Sequence, residues 1–583
     1  MKKISILLSA VVITGLLFTP KPAAAFSQPN LQLSVMSDVH INKDRPSNKF
    51  ENALNDLNRI APTYDAIAVV GDFTDAGYEK EYQTFTNILK TYKNPLAESI
   101  ISIGNHEYRE TVVDPASPVT DDELKARFMQ NNGDPITKVY FDKWIKGYHF
   151  ISLGGELSPK SLTPYESSNP GARDWAYISE AQYQWLEQTL PINAASNKPI
   201  FVLLHQPIAN TVYGSDRWNA GFDNQRLLAI LKKYPQAILI SGHTHYLLNH
   251  PKSIYQDGFT MVDTSSIEST WYDGGWVPTL SQGYVINVYD DRVEFKAREF
   301  SNGTWIRTET IPIPFKETTK DVSKPYFPAS AKTGISTIGT TDAAFTWDRG
   351  KDDTVVDRYV IKKDGKLVKT IYSRYWEPEE TLSLSINNLF PNTTYAYEVF
   401  AVDAYDHVSD NPLKITFTTQ SVTGWYQSNN NWYFFNKDGV KQTGWLQLNS
   451  KWYYFNPSGP MQTGWNYING KWYFFTEKGV MVTGWMKEGT SWYFLDSNGS
   501  MHTGWLFTGS KWYYLDSHGV MKTGWISTQK NWYYLDEMGV MRTGWLPLAN
   551  QWYYLKPDGV MVTNWQFING KWYYFLLNGQ LKA

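Results

Sequence analysis

Through the first half of the chain, apolar residues gather in short runs, each ending at a glycine or a chemistry-bearing side chain. Residues 31–36, 66–70, 100–104, 199–204 and 237–242 are runs of this kind. Four to six largely apolar positions bounded by turn residues predict buried strands. Between them, residues 48–60 and 179–190 carry helix-like patterns, and Ser179 with Gln182 predicts a capping box opening the second helix. Residues 148–153, 259–262, 283–289 and 293–298 then alternate or run apolar without long helices between them. The pattern predicts an α/β domain over residues 26–316, two stacked sheets flanked by helices.

The pattern then changes twice. Pro312 and Pro314, followed by the polar run 316–320, mark a boundary. Residues 343–347, 358–362, 382–386, 395–402 and 414–418 predict closely spaced strands, with a turn at Asp364-Gly365, hence an all-β sandwich over residues 323–420. From residue 421 to 583 the sequence repeats every 20 residues: Trp425, Trp445, Trp465, Trp485, Trp505, Trp525, Trp545 and Trp565, with a second set from Trp432 to Trp572. Each unit reads like Thr443-Gly444-Trp445, then Lys451-Trp452-Tyr453-Tyr454-Phe455, then Gly459 and Met461. One hairpin cannot bury its own face, but eight stacked hairpins can, so the repeat predicts a β-hairpin solenoid.

Composition narrows the setting. The 583 residues include no cysteine, 16% aromatic residues and a formal net charge of -3, which excludes a disulfide scaffold and a basic nucleic-acid footprint. Absent cysteine by itself suggests the cytosol or indifference to redox compartment. The N-terminus overrides it: Lys2-Lys3, the apolar run 4–18 and Ala23-Ala24-Ala25 form the pattern of a secretory signal peptide over residues 1–25. No later stretch approaches the roughly 18 to 20 apolar residues that span a bilayer.

The candidate chemistry lies at the strand ends. Asp38 and His40 follow the first run, Asp72 the second, Asn105 and His106 the third, His205 the fourth, and His243 and His245 the fifth. Open α/β sheets build their sites at such ends. Asp72, on a glycine turn, has two oxygens that can bridge metal ions about 3.5 to 4 Å apart, as in two-metal phosphoryl-transfer sites. Imidazole, carboxylate and amide donors without thiolate suit two divalent ions, Mn, Fe or Zn.

The ordered blocks D-x-H, G-D-x-x-D, G-N-H-E, His and G-H-x-H resemble the calcineurin-like metallophosphoesterase family over about residues 31 to 300. The resemblance implies a four-layer αββα sandwich, with Asp38, His40 and His245 on one metal, Asn105, His205 and His243 on the other, and Asp72 bridging. It also implies that His106 stands beside the scissile phosphate, to stabilise charge or protonate the leaving oxygen. Gly71-Asp72-Phe73-Thr74-Asp75-Ala76-Gly77 lacks the arginine of protein phosphatases and looks like the form found in cyclic-nucleotide phosphodiesterases and small bacterial phosphoesterases. Gly104 to Arg109 pulls the other way, and the balance favours a small phosphodiester. Asp75 and Glu107 fit turn formation or orientation of a ligand as well as catalysis. His149 and His250 carry no motif.

In the sandwich, Leu389, Pro391, Thr393 and Tyr395 resemble the corner of fibronectin type III domains, which implies a spacer. The 20-residue units resemble choline-binding repeats of bacterial surface proteins. That resemblance implies aromatic cages for the quaternary ammonium of a choline-bearing teichoic acid or related wall polymer. The expected cage residues are Trp445, Trp452, Tyr454, Trp465, Trp472, Trp485, Trp492, Trp505, Trp512, Tyr514, Trp525, Trp532, Tyr534, Trp545, Trp552 and Tyr554. Each cage takes both tryptophans of one hairpin and an aromatic of the next, with the second aromatic after the Trp-Tyr tryptophan favoured and the first, as at Tyr453, left to the core. Related repeats bind α-glucan, so that ligand stays open. Residues 421–583 hold 13 basic and 8 acidic side chains, about +5, which suits a phosphate-rich polymer. The whole reads as a secreted, wall-attached phosphoesterase. A surface phosphomonoesterase or nucleotidase, and a non-catalytic adhesin, stand as alternatives.

Overall fold

In the computed structural model, Leu31–Met36 (β1) lies at the centre of a six-stranded sheet. The structure describes residues 28–582 apart from 46, 159–160, 162–173, 175, 219, 318–320 and 378–380, so the expected signal peptide lies outside the described residues. Parallel to β1 run Ala66–Val70 (β2) and Glu98–Ser102 (β3). The second sheet contains Phe141–Ile145 (β4), Tyr148–Ser152 (β5), Ile200–Leu203 (β6), Ala237–Ser241 (β7), Ile254–Gln256 (β8) and Thr260–Asp263 (β9), in the order β4-β5-β6-β7-β9-β8. A short hairpin, Thr270–Tyr272 (β10) with Gly275–Val277 (β11), precedes Gln282–Val288 (β12), Arg292–Glu299 (β13) and Thr304–Pro312 (β14). These last three complete the first sheet as β14-β13-β12-β1-β2-β3.

The apolar runs are continuous because the central strands are covered on both faces. Ala66, Ala68 and Val70 of β2 join Phe150, Phe201, Leu203, Ile238 and Ile240 of the second sheet in one core. Their neighbours Ile67 and Val69 face outward, against Phe50, Leu54 and Leu57 of helix Lys49–Ile60 and Tyr82 and Phe85 of helix Glu79–Tyr92. Val202 and Leu239 pack beneath Leu186 of helix Glu180–Thr189 and Leu227 of helix Gln225–Leu231. The four layers αββα follow. Strands β5, β6, β7 and β9 are mutually parallel, so their carboxyl ends share an edge, as do those of β1 to β3.

One predicted detail is corrected. Ser179 does cap its helix, accepting from the Gln182 N–H at 3.2 Å, but Gln182 does not reach back. Its buried amide instead brackets Gly154, accepting from that N–H at 3.1 Å and donating to that carbonyl at 2.9 Å. A tertiary partner with two unpaired backbone groups outcompetes the local box.

Residues 333–418 form a three-stranded sheet, Thr333–Ile338, Thr381–Ile386 and between them Ala343–Asp348, and a four-stranded one containing Val356–Lys363, Lys366–Tyr372, Thr394–Asp403 and Leu413–Thr418. The Tyr395 hydroxyl accepts from the Phe390 N–H at 2.7 Å, a tyrosine corner. Among the described residues, one compact unit runs up to Thr333 and includes Trp347–Leu382 and Ala396–Ile415, and the other comprises Gly334–Thr346, Ser383–Tyr395 and the chain from Thr416 on. In the first, Trp376 packs edge-on to Tyr272 at 4.8 Å between ring centroids, so aromatic contacts join this stretch to the αββα layers.

In the second unit, eight hairpins run from Gly424–Ser428 with Asn431–Phe435 to Asn564–Ile568 with Lys571–Phe575. Their buried floor is the residue after the two ring positions: Phe455, Phe475, Leu495, Leu515, Leu535, Leu555 and Phe575 are each 0% exposed. Successive repeats are stitched by backbone bonds such as Met481 N–H to the Trp452 carbonyl at 2.8 Å. The Met461 side chain lies over Gly479, where an added Cβ would sit 2.2 Å from its sulfur.

Candidate metal centre and aromatic cages

At the shared strand ends the backbone turns sharply. Asp38, His40, Asp72, His243 and His245 all have positive φ, between 47° and 69°. Residues other than glycine rarely adopt this conformation, which costs on the order of 1–3 kcal/mol each and persists where the surroundings enforce it. Five such residues converging on one cluster mark a site. Glycines make the approach possible: a Cβ on Gly104 would lie 2.2 Å from Asp72 Oδ1, and one on Gly242 would lie 2.5 Å from Asp38 Oδ2.

The structure brings six of the seven expected ligands together in two groups. Asp38, His40 and His245 offer donor atoms within 4.8 Å of one another, as do Asp72, His205 and His243. Asp38 Oδ1 is 3.0 Å from His245 Nε2 and 3.8 Å from His205 Nε2, while His205 Nε2 is 2.9 Å from Asp72 Oδ2. His40 Nε2 and His245 Nε2 face each other at 3.2 Å. Asn105, 5% exposed, is oriented by donation from its amide to Asp174 Oδ1 at 3.2 Å.

The donor chemistry fits two divalent cations. His243 Nε2 is buried without a hydrogen-bond partner, and Asp38 Oδ1 and His205 Nε2, though close to His245 and Asp72, make no aligned hydrogen bond; a buried group left so costs on the order of 1–3 kcal/mol unless something binds there. The opposite ring nitrogens are fixed by backbone carbonyls, His205 Nδ1 on Val70 at 2.7 Å and His245 Nδ1 on Ser269 at 2.9 Å. Such contacts orient imidazole ligands and leave Nε2 for a metal. Electrostatics point the same way. Against the opposing effect of burial, the carboxylates of Asp72 and Asp38 push His205 up to about 10. Burial, reinforced by the neighbouring His205, takes His243 down to about 3.

His106 stands at the edge of this cluster, its ring edge-on to His40 at 4.4 Å and its Nε2 3.8 Å from Asp72 Oδ2. Its Nδ1 meets the Asp75 carbonyl at 2.7 Å, and Arg109 donates to Nε2. That leaves Nε2 an acceptor, and burial holds the imidazole well below its ordinary value. Glu107 and Asp75 act through others. Glu107 accepts from the N–H groups of Asp72, Thr74 and Gly104 at 3.0, 3.0 and 2.7 Å, tying two ligand-bearing loops together. Burial and the nearby Asp72 charge push Glu107 up to about 7. His149 stacks on Trp144 and His250 on Tyr213, both outside the cluster.

Three supporting residues escaped the sequence reading. Asp263 ends β9 with its Oδ2 buried and unpartnered and its Oδ1 accepting from Thr244. It follows the apolar run 259–262 just as Asp72 follows 66–70, and that signal was available. Asp174 and Gln206, which donates to the Asp174 carbonyl at 2.9 Å, have no sequence pattern around them.

In the tail, the cross-strand pair Trp445 and Tyr454 lies 5.1 Å apart, with Trp452 6.2 Å from Trp445 on the same face. The same geometry recurs at Trp505, Trp512 and Tyr514, at Trp525, Trp532 and Tyr534, and at Trp545, Trp552 and Tyr554. At Trp465 with Trp472 and Trp485 with Trp492, phenylalanine takes the third position. The nearest ring of the next hairpin packs against Trp445. It is the first aromatic, Tyr473, at 5.0 Å from Trp445, because strand alternation turns Tyr473 and Phe475 toward the preceding repeat.

Comparison with known proteins agrees with both regions. Residues 32–247 match the calcineurin-like phosphoesterase family, and residues 422–463, 462–504, 502–543 and 542–583 match the choline-binding repeat. The chain therefore carries a calcineurin-like metallophosphoesterase domain and C-terminal choline-binding repeats. Over 220 residues it is 26% identical to a probable glycerophosphodiester phosphodiesterase of Arcobacter nitrofigilis, covering 36% of this chain and 70% of that one. Over 195 residues it is 26% identical to a glycerophosphodiester phosphodiesterase of Enterobacter lignolyticus, covering 33% of this chain and 59% of that one. Among solved structures, choline binding protein F of Streptococcus pneumoniae is 36% identical over 30% of this chain and 67% of its own, with a TM-score of 0.27.

Proposed function

We propose that this chain is a secreted, cell-wall-attached phosphodiesterase. Asp38, His40 and His245 would hold one divalent ion, Asn105, His205 and His243 a second, and Asp72 both. When bound, two such ions lower the pKa of water and neutralise phosphate oxygens, the chemistry of phosphate-ester hydrolysis. The observation that carries this reading is the convergence of buried Asp and His donors at strand ends, five of them on turns of positive φ and His243 Nε2 without a partner. Around it, Glu107 locks the Asp72 and Gly104 loops in position, and Arg109, hydrogen-bonded to His106 Nε2, would bring positive charge to the edge where a phosphate binds.

A diester is favoured over a monoester by the block around Asp72 and by the two relatives whose names specify glycerophosphodiesters. The sandwich at residues 323–420 is read as a fibronectin type III-like spacer, on the tyrosine corner at Tyr395. The repeats would anchor the enzyme to choline-bearing teichoic acid through their paired tryptophans, and so concentrate it at the wall. Among the described residues no helix is long and apolar enough to cross a membrane, and the N-terminal 25 residues supply the proposed export signal.

The test compares hydrolysis of bis(p-nitrophenyl) phosphate with that of p-nitrophenyl phosphate, in added manganese, with and without a chelator. Faster, chelator-sensitive cleavage of the diester is the expected result. Preference for the monoester would move the assignment to a surface phosphatase, and no turnover of either would leave the repeats as the functional part.

A further inference from the structure

Trp218 is out of place for a core residue. Its indole is 52% exposed, yet its ring lies 5.2 Å from the ring of His243. Its φ is 39°, a conformation that a bulky residue adopts only under constraint. The constraint is the preceding residue. Arg217 donates from Nε and Nη2 to the two oxygens of Asp273 at 2.7 and 3.0 Å, and also to Asp216. Asp273 belongs to the turn between β10 and β11, and Tyr213 braces it by accepting from its N–H at 3.3 Å. A bidentate arginine pair of this kind fixes geometry as well as charge.

An exposed indole clamped beside a phosphate-cleaving centre has a use when the substrate carries a group to cover it. The indole face itself selects that group: its π electrons attract a cation and offer nothing to a further phosphate. A cation without hydrogen-bond donors, a quaternary ammonium, gains most from an aromatic face. We propose that Trp218 is the specificity wall of the active site and receives the trimethylammonium group of a choline phosphodiester. This rests on the phosphodiesterase reading above and names its substrate class.

The test uses two esters with one leaving group: p-nitrophenyl phosphocholine, and its isostere p-nitrophenyl 3,3-dimethylbutyl phosphate, in which a neutral tert-butyl group replaces the trimethylammonium. In each, water adds to phosphorus, the aryl P–O bond breaks and p-nitrophenolate departs, leaving phosphocholine or the dimethylbutyl monoester. The full chain is expected to favour the choline ester by roughly five- to thirtyfold in kcat/KM, the range of a partly desolvated cation–π contact, with the difference carried by KM. Trp218→Ala should bring the ratio within each preparation close to one, and Trp218→Phe should keep part of it. A wild-type ratio near one, or an unchanged ratio in Trp218→Ala, overturns the assignment. Because the ratio is internal, a general loss of activity in a variant does not mimic the effect. Failure to cleave even bis(p-nitrophenyl) phosphate would instead bring down the phosphodiesterase reading itself. Natural sources separate by the same variant: Trp218-dependent release of phosphocholine or choline from a choline-bearing wall polymer, or from phosphatidylcholine vesicles, supports the proposal and identifies the source. Release that is undiminished in Trp218→Ala overturns it.

Discussion

Replacing Gly104 by alanine tests the central packing of the site with a single methyl group. The new Cβ would lie 2.2 Å from Asp72 Oδ1 and 2.5 Å from Asp72 N, against ordinary contacts of about 3.5 Å. Asp72 cannot yield through a side-chain rotation alone, because its backbone N–H is held by Glu107 at 3.0 Å and its Oδ1 accepts from the His106 N–H at 2.8 Å. The loop must therefore move by roughly 1 Å, and a misplacement of that size in a reacting centre costs about 100-fold in rate. The expected result for Gly104→Ala is a fall of about that factor in kcat/KM for bis(p-nitrophenyl) phosphate, with reduced metal content by elemental analysis. Overpacking should also cost about 1–3 kcal/mol of stability. Gly155→Ala is the control, since its nearest neighbour would be an ordinary 3.6 Å away. Wild-type turnover and full metal content in Gly104→Ala would refute the idea that this glycine exists to admit Asp72.

Other outcomes follow from the same structure. In metal-free protein His205 holds a proton up to about 10, and a metal must displace it, so apparent metal affinity should rise with pH from 6 to 9; a flat profile in a chelator competition would contradict the ligand assignment. The sign for the apo fold is the reverse: the pairing of His205 with Asp72 contributes stability in full below the ordinary histidine value of 6.5, and this is lost as pH rises through about 10. Leu535→Ala, at a fully buried position, should cost about 2–5 kcal/mol in the thermal transition of the repeats and leave hydrolysis of soluble esters unchanged, because solenoid repeats interact mainly with their neighbours. Free choline should elute the chain from a quaternary-ammonium resin, and Trp505→Ala with Trp512→Ala should weaken retention; retention indifferent to choline would refute the cage assignment.

Much of this architecture was legible in the order of residues. The strand runs, the seven candidate ligands and the 20-residue period are local features, and strands covered on both faces announce themselves as unbroken apolar stretches. Glu107, read as a possible orienting residue, proved to be the hub joining two ligand loops, which its place in G-N-H-E allowed but did not require. Gln182 shows the opposite case: a satisfactory local cap was available, and a buried strand end took the side chain instead.

What the sequence by itself determined is the chemistry available at each strand end and the periodicity of the tail, because both depend on residues close together in the chain. Only the tertiary structure decided which tyrosine each hairpin turns toward its neighbour, that Asp174 orients Asn105, and that Trp218 stands over His243. Those relations join residues 25 to 69 positions apart, and they arise from how layers and repeats pack, so no local pattern encodes them.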